Sequence, residues 1–236
     1  MTGQVDIRKA PSRPHTQIDW LDSWHSFSFA NHYDPANTHH GLLLVHNDDT
    51  VAAASGFGMH PHRDMEIVSW VLSGHLEHRD SEGNHGDIYP GLAQRMSAGT
   101  GIFHSEMNPS PDEPVHFLQM WVPPDTKGIP PGYEQVDVSA QLASGAFVSV
   151  ASGRDGDSAI RIHQHDATMY AAQLPSHASA YLPDAPHVHL FVATGTVALE
   201  DAAELGAGDA ARLTAAGARR VTAGDDGAHV VVWATA

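Results

Sequence analysis

Four side chains in this sequence could hold a metal ion between them. His60-Pro61-His62 and His104-Ser105-Glu106 each carry two donors at positions i and i+2. On a β-strand such residues point to the same face, so two neighbouring strands can deliver four ligands without contorting a loop. Pro61 fixes its own φ and removes a backbone donor, which stiffens the first pair. Three imidazoles and a carboxylate suit Fe, Mn, Ni, Cu or Zn and match Mg or Ca poorly. An ion that prefers six ligands would keep two places for water, substrate or O2. The chain has no cysteine, so thiolate ligation and disulfides are excluded.

Positioning such pairs takes strands, and the sequence is patterned for them. Short apolar runs alternate with Gly, Pro, Asn and Asp clusters, as in an all-β protein, and no long window carries a helical apolar stripe. Ser26–Phe29 alternates as a half-buried strand should. Gly41–Val45 and Glu66–Leu72 read as strands buried on both faces, and Arg79–Asn84 as a polar hairpin tip. Val122–Tyr133 holds four prolines and two glycines, which marks a connector. We therefore divide the chain into a metal-binding domain, residues 1–132, and a second domain, residues 133–236. Beyond about residue 195 the chain turns Ala- and Gly-rich, and its glycines predict short strands joined by turns.

Charge narrows the function classes. With 12 Lys+Arg against 28 Asp+Glu, the formal net charge is −16, which repels phosphate backbones and argues against direct nucleic-acid binding. No apolar stretch approaches the length of a membrane span or a signal peptide, so a soluble cytoplasmic protein is expected. Most of the 19 histidines must lie on the surface or behind the ligands, since one site uses only a few.

These segments resemble the cupin superfamily. His60-x-His62-x3-Glu66 followed by Gly74 looks like its first motif, and Gly101-x2-His104-x3-Asn108 like its second. Gly58-Met59-His60-Pro61-His62-Arg63-Asp64-Met65-Glu66 and Met96–Glu106 are closer still to the signature segments of the pirin family, and Trp20–Phe29 resembles its N-terminal strand. The resemblance implies an all-β double cupin, two barrels in tandem with few short helices. It implies His60, His62, His104 and Glu106 as the ligands of one divalent ion, Fe(II) first among Ni, Mn, Cu and Zn. Glu66 would then be a structural acid.

The second half offers His163-Gln164-His165 and His187-Val188-His189, but neither falls in register with the first motif. If Gly195 and Gly208 correspond to Gly74 and Gly91, the places of His104 and Glu106 fall to Val221 and Ala223. A degenerate, metal-free barrel is expected there. Phe57, Met59, Met65, Met96, Phe103 and Met107 are the candidate lining of an apolar pocket beside the metal, suited to a planar aromatic ligand. Trp24, Trp70 and Trp121 belong to core or pocket wall. The resemblance further implies a quercetin 2,3-dioxygenase-like activity: a flavonol and O2 as substrates, carbon monoxide as a product, and Glu106 as the group that takes the substrate's proton. The alternative it carries is an iron-dependent redox-sensing regulator acting through a protein partner. A monomer is expected, because two barrels already bury each other's faces.

Overall fold

Antiparallel strands dominate because the apolar residues recur with period two and turn residues separate the runs. The computed structural model describes residues 3–236. Helix is confined, among these residues, to one short α-helix, Ser139–Leu142, and a 3-10 turn, Ala10–Ser12.

Three sheets build two barrels. In the first, a seven-stranded sheet runs in the order Gly132–Asp137, Leu92–Ser97, Glu66–Ser73, Val115–Val122, Val45–Val51, Leu21–His25, His15–Ile18. A four-stranded sheet, ordered Gly56–His62, Ile102–Met107, Leu76–Asp80, His85–Ile88, completes this barrel. The nine-stranded sheet of the second half is centred on two long strands, His187–Leu199 and Arg220–Thr235. The fold is an all-β double cupin.

The chain crosses between the halves at both ends of the first. Gln4–Arg8 pairs with Ala210–Thr214 and so extends the second sheet. Gly132–Asp137 pairs with Leu92–Ser97 and so closes the first. Between them lies a shared core that takes Trp70, Leu118 and Met120 from one half and Phe191, Val231 and Trp233 from the other. Glu66 adds a polar tie: its fully buried Oε2 accepts from Ser97 Oγ at 2.8 Å and from the His163 backbone N–H at 3.0 Å.

Local expectations shift in two places. Ser26–Phe29 is not a strand; the strand before it ends at His25, and the segment turns away through bends. Gly41–Leu44 forms turns and one isolated bridge, the strand starting only at Val45, because Gly41 adopts φ +57°. Glu66–Ser73 is a strand buried on both faces, since it lies inside the seven-stranded sheet with the second half packed behind it. Gly74 takes φ +79° in the turn that follows, where a Cβ would lie 2.7 Å from Pro114 O. Gly195, at φ +76°, bends the long His187–Leu199 strand at a register shift.

The second barrel's interior is apolar. Leu190, Val192, Leu205, Val221, Ala223, Val230 and Val232 belong to one buried cluster, and no group of three donors capable of holding a metal is found there among the described residues. His189 is buried but faces His46, ring centroids 5.1 Å apart.

Candidate metal centre and cavity

His60 and His62 sit on Gly56–His62, and His104 on the paired strand Ile102–Met107, directly opposite His60. Ring centroids are 4.9 Å apart for His60 and His62, 4.4 Å for His60 and His104, and 5.0 Å for His62 and His104. One nitrogen from each ring lies within 4.8 Å of the other two.

The same nitrogen, Nε2, is free of hydrogen bonds on each ring. His60 Nδ1 donates to Gly58 O at 2.8 Å, leaving Nε2 with its lone pair. The Nε2 atoms of His62 and His104 are buried without any partner. Behind His104 stands His78, the two Nδ1 atoms 3.4 Å apart, and His78 Nε2 lies 3.1 Å from Asp80 Oδ2. Burial pushes the Asp80 carboxyl upward, but hydrogen bonds from Asn84 and His78 outweigh it and hold it below its usual value. The ionised Asp80 accepts a hydrogen bond from His78 Nε2–H, so His78 Nδ1 in turn accepts from His104 Nδ1–H.

Burial lowers the His62 pKa to about 4, helped by the neighbouring His104 and His60. Burial, then His60 and His78, lowers that of His104 to about 3. Both rings are neutral at physiological pH, the form that binds a metal. Buried, unpartnered, convergent imidazole nitrogens fit a transition-metal ion.

Glu106 stands outside this group of three. It is 2% exposed, and its two oxygens accept from Ser69 Oγ and Gln119 Nε2. It nevertheless borders, with His60 and His62, a cavity of about 300 Å³. The apolar walls are Leu21, Phe29, Phe57 and Trp121. The floor is polar: Ser23 and His25, Asn47 and Asp49, and Gln119 come at alternate positions from three adjacent strands. Burial raises the Asp49 pKa to about 7, against the hydrogen bond it accepts from Ser23.

Of the six lining residues expected from the sequence, only Phe57 borders this cavity. Met59 and Phe103 are 59% and 53% exposed, because they alternate with the inward-facing histidines and so point outward. Met65 and Met96 pack instead with Ile67, Ala98 and Ile102. Met107 lies against Gly56. Phe57 escapes the alternation because the strand pair carries a bulge: His104 faces His60, but Glu106 faces Phe57, one residue further than regular pairing gives.

Asp49, Gln119 and the His78–Asp80 pair were not singled out from the sequence. The signal for Asp49 was present in Val45-His46-Asn47-Asp48-Asp49-Thr50-Val51, a polar run bounded by valines. Such a run can form a strand only where a polar interior receives alternate side chains. Asp80 was read as part of a hairpin tip, and it does accept from the backbone of Glu82 and Asn84 there while also holding His78.

Residues 6–122 match the family model described as Pirin, and residues 149–232 the one described as the quercetinase C-terminal cupin domain. A Mycobacterium tuberculosis protein provisionally assigned as a quercetin 2,3-dioxygenase is 57% identical over 88% of this chain and 86% of its own. The quercetin 2,3-dioxygenase of Escherichia coli K12 is 48% identical over 70% of each chain. The crystal structure of the bacterial pirin YhhW from E. coli in complex with nickel(II) superposes with a TM-score of 0.88 at 38% identity, covering 98% of both chains. The sequence relatives, the shared double-barrel architecture and the three convergent imidazoles agree, and the chain belongs to the pirin family.

Proposed function

We propose that this protein is a metal-dependent dioxygenase that opens the central ring of a flavonol such as quercetin and releases carbon monoxide, with iron as the working ion. The observation that carries the reading is the set of three convergent imidazoles, two of them, His60 and His62, bordering an aromatic-walled cavity large enough for a planar ligand. Relatives named for the same activity support it. His60, His62 and His104 would hold the ion, and Glu106 would join them as the fourth ligand. When bound, such an ion supplies Lewis acidity and a redox partner for O2.

The chain's own residues do the rest. Phe29, Phe57 and Trp121 sandwich the flat substrate and exclude water. Glu106, at the cavity wall, accepts the proton of the flavonol hydroxyl, which leaves the ring electron-rich. Ser69 and Gln119 hold the Glu106 carboxylate in place for that transfer.

The test is quercetin-dependent O2 uptake, with carbon monoxide detection, by protein loaded anaerobically with Fe(II), His104→Ala serving as control. Uptake and carbon monoxide that both need His104 support the dioxygenase. Absence of uptake at a full equivalent of iron rejects it. The second reading, an iron-dependent regulator acting through a protein partner, would then gain from Met59 and Phe103, which sit exposed on the outer face of the ligand strands.

A further inference from the structure

Arginine is scarce in this chain, ten residues against 28 acids, yet three of the ten converge on one small cavity. Arg8, Arg13 and Arg212 line it together with Ser26 and Asn37, and no acidic side chain does. The cavity lies where the N-terminal segment and the first barrel meet the Ala210–Thr214 strand of the second. Its volume of about 30 Å³ leaves room for at least one water-sized guest.

The charges around it do not balance. Arg8 pairs with Asp6 at 2.7 Å, and Arg13 places both Nη atoms 3.0 Å from Asp48 Oδ2. Arg212 has no such partner: its Nη atoms donate to Asn37 Oδ1 at 2.7 Å and Ser26 O at 2.6 Å, both neutral, and it enters no ion pair among the described residues. It is 5% exposed, it lies over the Phe27 ring, and its Nε has no partner. The Arg13 Nε is likewise buried and unpartnered. Burial, with Arg8 adding to it and Asp6 on the facing strand partly opposing, pulls the Arg212 pKa down to about 10, so the guanidinium is still charged at neutral pH. A buried, uncompensated cation is costly, and a counter-ion removes that cost.

We propose that this cavity binds one small monovalent anion, of which chloride is the physiological example, between Arg13 and Arg212. One negative charge neutralises the one guanidinium left over. The bound ion joins the start of the chain to the second barrel, so it acts on the stability of the junction between the halves and not on the metal centre.

The test compares thermal unfolding of the full chain in chloride and in gluconate, a bulky organic anion, at constant ionic strength. Chloride raises Tm of the wild type saturably by a few degrees, and Arg212→Met abolishes the rise. Asn37→Asp, which sets a carboxylate where Arg212 already donates, raises Tm in gluconate and cancels the chloride dependence. That variant keeps the test informative should Arg212→Met fail to fold. A bromide-soaked crystal shows an anomalous peak beside Arg212. Equal Tm values in the two salts, an undiminished chloride effect in Asn37→Asp, or a peak-free cavity holding only water overturns the proposal.

Discussion

The Nδ1 atom of His78 lies 3.4 Å from the Nδ1 of His104, and one side chain, Asp80, decides which of the two carries the proton. Asp80 is fully buried and accepts a hydrogen bond from the Nε2–H of His78, so the proton between the two Nδ1 atoms belongs to His104. His104 then presents Nε2 as a lone pair in a fixed direction. Asp80→Asn can turn its amide to donate to His78 Nε2, reversing this order. Metal affinity should fall by about 10- to 100-fold while the protein stays folded. Competition with a coloured chelator measures it; an unchanged affinity would show that His104 orients itself.

His62→Ala and His104→Ala each remove one of three convergent donors. Both variants should purify without stoichiometric metal and show no O2 uptake, as read by elemental analysis and an oxygen electrode. A variant that keeps a full equivalent of metal would show that the remaining imidazoles suffice.

Filling the cavity should separate substrate binding from metal binding. Leu21 borders the cavity from the strand next to Asp49, away from the three histidines. Leu21→Trp adds an indole where a flat ligand would lie. Metal content should match the wild type, while quenching of protein fluorescence by quercetin and catalytic turnover should both drop at least tenfold. Undiminished turnover would place the substrate elsewhere.

Acid should destabilise the protein well before ordinary carboxylates protonate. Burial lowers the pKa of His40 and His229 to about 4 and of His46 to about 3, and that of His189 well below the usual range. These four rings are neutral in the folded protein, but in the unfolded chain they take up protons near pH 6.5. Their contribution is therefore complete above pH 6.5 and is lost as pH falls toward 4 and 3. Asp49 works the other way between pH 3.8 and about 7, since it keeps its proton when folded, and cancels roughly one of the four. In the metal-free protein His62 and His104, lowered to about 4 and 3, act in the same direction, so unfolding near pH 5.5 takes up several net protons and stability falls steeply with acid. Urea unfolding of the metal-free protein between pH 7.5 and 5 should show the midpoint falling steadily; a flat midpoint would mean the buried rings are protonated when folded.

What could be read from the residues and what could not follows from the range of each interaction. The His60/His62 and His104/Glu106 pairs are local period-two patterns, so their inward direction needed no knowledge of the rest of the fold. Val221 and Ala223, reached by counting from glycines that sit at positive φ, do lie in the buried apolar cluster of the second half. The cavity lining was harder. A single bulge near Gly58 and Met59 moves Phe57 to the inner face, and no composition rule announces a bulge. Leu21, Asp49 and Trp121 come from strands distant in sequence and meet only through sheet order. The dense methionine and phenylalanine pattern around the ligands was local, and it marked the outer face and a separate core instead.

The exchange of the Gln4–Arg8 strand has a consequence for how the protein is made. Ile7 pairs with Ala211, about two hundred residues later, so this strand must wait for synthesis of the second half before it finds its place. The first barrel holds the three candidate metal ligands and can close around Gly132–Asp137 while translation continues. Meanwhile Val5 and Ile7, partly buried against the second barrel in the finished molecule, stay uncovered on the nascent chain. Folding should thus finish with a slow docking of the Gln4–Arg8 strand once the Ala210–Thr214 strand is in place, and a bulky insertion just before Gln4 should delay that last step.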